Sequence, residues 1–452
     1  MIFVNNHFEM DNHYIGTFEI DGRKFEGEII HNIYSGVIKL SVSFVLNSFD
    51  EIRIKYSQNL RVIKGRLTNG KIVNLYNNML IENSSYNVQY QKLVYSVKSM
   101  LWSFNELSDP KFNELKCELE NGLQWSDLSG IEISKPIGFD FKRVNTKSFF
   151  LYNAKISFYT TIKSTLQRFP REETCEVTER LVISIESETK EDIDFFTNIR
   201  DKIISLISFS IKDNINIIKQ SFLDYDEFNI SVIPNEYKEH LFVDNNPVCE
   251  IYGICDLDYN LKLSELEDKG NDLPQKLEKL TPIFNLYVSL FKYPYMPEEM
   301  VFLNIIQALE TFHSRFLYNN DTKEYIRSVK ERFEDGTLQY KLLLSDKQPN
   351  HKHSHIVLFS RLNDLLIRGK NDIFVRFYKD DSDFVQRIVE TRNYYTHYDE
   401  KKKNAALKGD KLLVSTRILS LLLEYCVCDI LGVDISKRIA MDLNNLLSDE
   451  HD

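Results

Sequence analysis

Late in the chain, Glu390-Thr391-Arg392-Asn393-Tyr394-Tyr395-Thr396-His397-Tyr398 sets an arginine five residues ahead of a histidine. On a helix, residues four apart share a face, so Asn393 and His397 are neighbours and the long Arg392 side chain can swing to the same spot. The set is a planar cation suited to phosphate, an amide, and an imidazole that moves protons near neutral pH. Metal-free RNA cleavage needs these functions. The 2′-OH must lose a proton, the leaving 5′-oxygen must gain one, and charge on the phosphorane must be stabilised. One histidine does not easily act as base and acid together, so two copies of the motif across a dimer axis would complete the set. Spacing alone is weak support, because a chain with ten histidines offers about one such match by chance. A surface arginine and a partly buried helix histidine explain it equally well.

The flanking residues extend both readings. Tyr394, Tyr395 and Tyr398 could stack bases, although tyrosines in a helical bundle more often fill a core or an interface. Lys401, Lys402 and Lys403, with Lys408 and Lys411 beyond them, could hold phosphates or form a solvated loop. Elsewhere, His351, His353 and His355 alternate, and an extended chain would put three imidazoles on one side, a possible grip on a divalent metal. A polar loop accounts for them as well, and no metal site is assigned. Cys426 and Cys428, two apart on a helix, point to different faces and read as core thiols. Phosphate-loop, nucleophile-elbow and His-Glu-x-x-His motifs are absent.

These side chains need elements to position them. At 452 residues, two or more cores are expected. With 43% hydrophobic and 27% charged residues the chain reads as globular. No apolar run approaches the roughly 18–20 residues that span a bilayer, and no basic region followed by an apolar block suggests a signal peptide. Six scattered cysteines fit a reducing cytoplasm. The net charge of −11 argues against broad affinity for nucleic acid. That charge is concentrated in residues 1–284, which carry −10, whereas 285–450 are neutral and could bind phosphates locally.

From Tyr14 to about Trp102, short alternating runs are broken by turn residues, notably Asp21-Gly22 and Thr68-Asn69-Gly70. Strand-like runs continue through Phe149–Tyr159 and Cys175–Ile185 and return at Asn229–Ile233 and Cys249–Ile254. Between them, Ile193, Ile199, Ile203, Leu206 and Ile207 predict one amphipathic helix packed on the sheet, reaching about Ile218. Polar residues from Ser264 to Gln275 mark a boundary. Beyond it the spacing predicts helices over Leu277–Lys292, Pro297–Tyr318, Ile356–Arg368, a segment capped by Ser382 or Asp383 that leads into the motif, and Lys411–Leu431. The fold expected is α+β and multidomain: a β-rich region over 1–275, sandwich or barrel, then an all-α bundle over 276–452.

Leu303-Asn-Ile-Ile-Gln-Ala-Leu-Glu-Thr-Phe-His313 on an early helix and Arg392-Asn393 through His397 on a later one resemble an ApeA-like HEPN domain. The hairpin around Lys64–Tyr76 is similar to the sheet-rich domain preceding HEPN in those anti-phage proteins, and residues 100–280 match more loosely. The resemblance implies a cytoplasmic, homodimeric, metal-independent endoribonuclease without a cofactor. It would act in abortive infection, with tRNA a plausible target, a 2′,3′-cyclic phosphate the product and a phage-derived protein a possible trigger. It makes Arg392 and His397 the catalytic pair, Asn393 their polar companion, and Glu310 an acid that orients one of them; an ordinary exposed glutamate is the plainer account of Glu310, and His313 reads as structural. Two other functions stay open: a non-catalytic helical adaptor or dimerisation protein, and a HEPN toxin controlled by nucleotidyl transfer to a nearby tyrosine.

Overall fold

The computed structural model describes residues 11–448 except 33–35, 47–55, 87–89, 104–109, 135–137, 142–145, 169–172, 226–236, 245–258, 268–271, 294, 319–320, 335–355, 369–372, 375–376, 378–382 and 399–401. The chain divides into two compact units. One comprises residues 1–200 and 215–251, the other residues 201–214 and 252–452.

The first unit is built on a closed barrel. Six strands, β1 (Asp11–Ile20), β2 (Arg23–Asn32), β3 (Ile38–Val45), β4 (Asn59–Leu67), β5 (Ile72–Tyr86) and β6 (Tyr90–Ser103), run antiparallel in the order β6-β3-β2-β1-β4-β5, and β5 pairs back onto β6. Of the two expected architectures, this half of the unit is a barrel. The alternation that predicted strands also fills its interior, where Phe18, Ile29, Leu40, Ile63, Leu75 and Tyr95 are wholly buried. Asp21 and Gly22 both take positive φ, 50° and 76°, the backbone of a two-residue hairpin whose twist matches its strands. Gly65 is required for another reason: a Cβ there would lie 2.4 Å from the Phe18 ring, which packs across the glycine.

β6 continues past β3 and pairs with β14 (Tyr237–Asp244), so the barrel leads into an open antiparallel sheet. Its order is β14-β13-β7-β12-β11-β10, with β7 at Phe112–Leu119, β10 at Lys147–Leu151, β11 at Ala154–Arg168, β12 at Glu173–Glu191 and β13 at Ile217–Tyr225. A short helix, α1 (Leu123–Ser126), and a hairpin of β8 (Ile131–Ser134) and β9 (Gly138–Phe141) lie between β7 and β10. The single run expected over 149–159 is two strands, turned by Tyr152 and Asn153 at positive φ. The expected helix, α2, spans Ile193–Ile211 and its first half packs on the sheet through Phe196 against Phe222. It stops short of Ile218 because Lys212 turns left-handed (φ 56°) and Ile217 begins β13. Strands expected at 229–233 and 249–254 lie outside the described residues.

The second unit is helical: α3 (Leu263–Glu267), α4 (Leu273–Lys292), α5 (Glu298–His313), α6 (Thr322–Glu334), α7 (Leu358–Arg368), α8 (Phe384–His397), α9 (Asp410–Leu431) and α10 (Ser436–Ser448). α5 ends in a π-helical turn, Ser314–Tyr318. α9 is buried nearly all round, packs against α4, α5, α7 and α10, and ends at Gly432 with φ 74°. The second half of α2 belongs with this unit, Phe209 lying 5.2 Å from the rings of Phe284 and Tyr287. The periodicity left α6 and α10 unassigned. No helix of the described residues is long and apolar enough to cross a membrane.

Candidate active site

The motif helix α8 buries one stripe, Phe384, Val385, Ile388, Thr391 and Tyr395, and so fixes which residues face outward. Asp383 occupies the N-cap position without a side-chain cap bond, and Tyr398 closes the helix in the left-handed region (φ 49°). Arg392 and Asn393 flank the buried stripe. The Arg392 guanidinium donates from Nη1 to Asn393 Oδ1 at 3.3 Å, and its Nη2 lies 3.6 Å from Glu310 Oε2 on α5. Both members of that ion pair are about one-third exposed, so it is worth only about 0–1 kcal/mol to stability. Its effect is directional: the Glu310 carboxylate and the Asn393 amide oxygen each hold one terminal nitrogen of the guanidinium.

Glu310 is held in turn from α7. Arg361 donates from Nη1 to the Glu310 carbonyl at 3.2 Å and from Nε to the Ile356 carbonyl at 3.0 Å. Burial pulls the Arg361 pKa below its ordinary value, and the nearby Glu310 charge opposes this. One turn further along both helices, His313 Nε2 meets Asp364 Oδ2 at 3.0 Å, and Asp364 Oδ1 accepts from Arg332 of α6, also at 3.0 Å. His313 and Asp364 are fully buried and structural. The two rungs, each three residues apart on each helix, keep α5 and α7 in register beneath the site. Sequence reasoning did not single out Arg361 or Asp364. Their only signal was charge at i and i+3 within Ser360-Arg-Leu-Asn-Asp-Leu-Leu366, a spacing that ordinarily marks a solvated face.

Glu310, Arg361, Gln386, Arg392 and Asn393 line a cleft of about 490 Å³ whose other walls include Phe359 and Val389. His397 is outside it, exposed at the last residue of α8. It lies one helical turn, about 6 Å of rise, beyond Asn393. The structure thus brings together three of the four predicted site residues and places the fourth on the same outward stripe.

The tyrosines separate. Tyr398 is 69% exposed, and Tyr394 is partly buried with Lys408 Nζ 5.8 Å from its ring centre. Tyr395 is buried and its ring is closed to a base; its hydroxyl donates to the Leu407 carbonyl at 3.0 Å. Burial raises the Tyr395 pKa, which favours the protonated donor. Leu407 N–H donates to Thr391 Oγ1, also at 3.0 Å, so both backbone groups of one residue tie the lysine-bearing loop to α8. Lys402 and Lys403 lie on that loop, while Lys401 and the histidines 351, 353 and 355 are outside the described residues. Among the described residues no group of three or more His, Cys, Asp or Glu could hold a metal. Cys426 and Cys428 are buried thiols.

Comparison with known families decides the relationship. Residues 13–276 match the model of ApeA N-terminal domain 1, more than half of the chain, and residues 303–436 match Apea-like HEPN. The chain belongs to the ApeA-like HEPN family. The described strands of the sheet unit fall within the ApeA N-terminal match apart from the first residues of β1, the motif helix α8 falls within the HEPN match, and the family theme is that of anti-phage HEPN nucleases. No curated protein and no solved structure matches. The HEPN match contains Glu310, Arg361, Arg392, Asn393 and His397.

Proposed function

We propose that this chain is an anti-phage endoribonuclease whose HEPN region cleaves RNA without a metal. The observation that carries the reading is the Glu310–Arg392–Asn393 cluster at the cleft with His397 exposed one turn along the same helix. In this reading Arg392 and Asn393 hold the non-bridging phosphate oxygens, and Glu310 fixes the orientation of Arg392. A histidine removes the proton of the 2′-OH, whose oxygen attacks phosphorus; the P–O5′ bond breaks and the departing oxygen takes a proton. The products are a 2′,3′-cyclic phosphate and a 5′-OH end. Each chain offers one such histidine, so a homodimer with two apposed motifs supplies base and acid. The exposed position of His397 suits a site completed from outside the chain.

Lys402, Lys403 and Lys408, on the loop latched to α8, would hold flanking phosphates, with Tyr394 and Tyr398 as base contacts. tRNA is the substrate we put forward, and the ApeA N-terminal region the receiver of a phage-derived protein. In the test, purified protein, with and without lysate from infected cells, is incubated with tRNA in EDTA. Cleavage by the wild type should fall at least about 10²-fold in His397→Ala. Exposure of His397 predicts an unchanged helical circular-dichroism signal. Equal cutting by His397→Ala, or no cutting by the wild type under either condition, would overturn the reading.

A further inference from the structure

We infer that the cleft between α5, α7 and α8 is a subsite for one nucleobase of the RNA, beside the phosphate held at Arg392. The inference rests on the proposed ribonuclease reading and goes beyond it in assigning base recognition to a particular cavity.

At about 490 Å³ the cleft falls in the size range of small-ligand pockets. Its walls suit a flat heterocycle. Ile356, Val357, Phe359 and Val389 make them largely apolar, and Phe359 brings an aromatic side chain, the type of group on which single-stranded bases stack. The Arg361 guanidinium, 6% exposed and fixed by two backbone carbonyls, makes the α7 side of the cleft a rigid wall. Gln386, whose Nε2 donates to Glu390 Oε1, brings a carboxamide whose remaining N–H and oxygen are the chemistry that reads a base edge.

The helix spacing ties this cavity to the chemistry. Gln386, Val389, Asn393 and His397 stand at i, i+3, i+7 and i+11 on α8, a single stripe. The first three line the cleft, and the fourth is exposed beyond it. A nucleotide laid along the stripe with its base beside Gln386 and Val389 has its phosphate at Arg392 and Asn393. The departing 5′-oxygen beyond that phosphate then lies toward His397. The occupant is a base and not merely a phosphate, because a phosphate makes no use of the apolar walls.

Full-length protein would be titrated with each of the four nucleoside 3′-monophosphates and with inorganic phosphate, binding being followed by calorimetry. Expected are binding that favours one or two bases over the others by about tenfold, weaker binding of inorganic phosphate, and loss of the base preference in Gln386→Leu. Val389→Trp, which fills the cavity, should abolish nucleotide binding, and Arg392→Ala should weaken all four nucleotides alike. Equal binding of the four bases, no binding, or an unchanged preference in Gln386→Leu overturns the inference. So does absence of nucleotide binding together with a dimer that Val389→Trp disrupts, which would assign the cavity to a neighbouring copy. No cleavage is needed for this measurement. Base-selective binding without RNA cutting would therefore refute the ribonuclease reading alone, and cutting without base-selective binding would refute the subsite alone.

Discussion

Replacing Glu424 by glutamine should destabilise the HEPN region by about 3–5 kcal/mol, the usual cost of removing one partner from a buried charge pair. Glu424 sits within α9 with no exposed surface, yet it is an anion with a full set of partners. Tyr287 donates its hydroxyl to Oε1 at 2.7 Å, and Lys212 Nζ and Arg438 Nη2 each lie 3.1 Å from Oε2. Burial by itself would raise the pKa of Glu424. The charges of Lys212, Arg438 and Arg417, together with the Tyr287 hydroxyl, outweigh it and hold the pKa below the ordinary 4.5. Glutamine keeps the shape and removes the charge, leaving two cations largely buried without an anion between them. Tyr287→Phe removes only one charge-assisted hydrogen bond and should cost about 1.5–3 kcal/mol.

Urea unfolding separates the effect by region, because the two tryptophans, Trp102 and Trp125, are both in the sheet unit while the long helices are mostly in the other. The 222 nm transition should move to lower urea in Glu424→Gln. The pH dependence follows from the sign of the shift. A carboxyl depressed on folding contributes stability above its unfolded pKa and loses it as pH falls through the folded value. The deficit of Glu424→Gln should therefore be full at neutral pH and shrink below about pH 4.5. A deficit under about 0.5 kcal/mol at pH 7, or one undiminished well below pH 4.5, would refute the argument, since either outcome means that the carboxylate charge is not what the cluster depends on.

Two further outcomes test the supports of the barrel and the site. Gly65→Ala drives a methyl group into the Phe18 ring and should destabilise the barrel by about 1–3 kcal/mol, read from the tryptophan emission transition; an unchanged midpoint would mean that the ring has room to move. Tyr395→Phe strips the Leu407 carbonyl of its donor and should cost about 1 kcal/mol locally, seen as faster amide exchange over 402–409 with the rest of α8 protected; unaltered exchange would mean that the latch contributes nothing.

What could be read in the amino-acid order depended on whether a signal was local. Asp21-Gly22 announced its hairpin because only certain residues accept positive φ at both turn positions, whereas Tyr152-Asn153 makes the same kind of turn with a residue that does not advertise it. The apolar spacing predicts too long an α2 because Ile215 and Ile217 continue it after Lys212 has already ended the helix. α6 and α10 escaped notice because each buries little: Tyr325 and Val329 in one, Ile439 and Leu443 in the other. Closure of the barrel between β5 and β6 and the meeting of Glu310 with Arg392 are pairings across the fold, and helix periodicity carries no information about partners. For the same reason Tyr395 resembled its two neighbours until its hydroxyl was seen to be bonded inward.

The supports of the site are distributed by what must stay still. Arg361 and Asp364, both buried, fix α7 to α5 on either side of one turn, and Thr391 and Tyr395, also buried, fix the loop after α8. Between these fixed elements Glu310 and Arg392 remain about one-third exposed, and His397 is exposed. A pair left that open contributes little to folding, so stability does not explain the built shell around it. On the proposed ribonuclease reading, holding a guanidinium to one orientation before a phosphate arrives does, because donors fixed in advance need no reorganisation as charge develops. That asymmetry makes Arg361→Lys a discriminating substitution. A point ammonium cannot span the Glu310 and Ile356 carbonyls with the geometry of a planar fork, so Glu310 and with it Arg392 would lose alignment while the site's formal charge is unchanged. If the proposed chemistry holds, RNA turnover should fall by about tenfold or more in this variant with its substrate affinity nearly kept. A loss confined to affinity would show instead that Arg361 acts by holding the substrate.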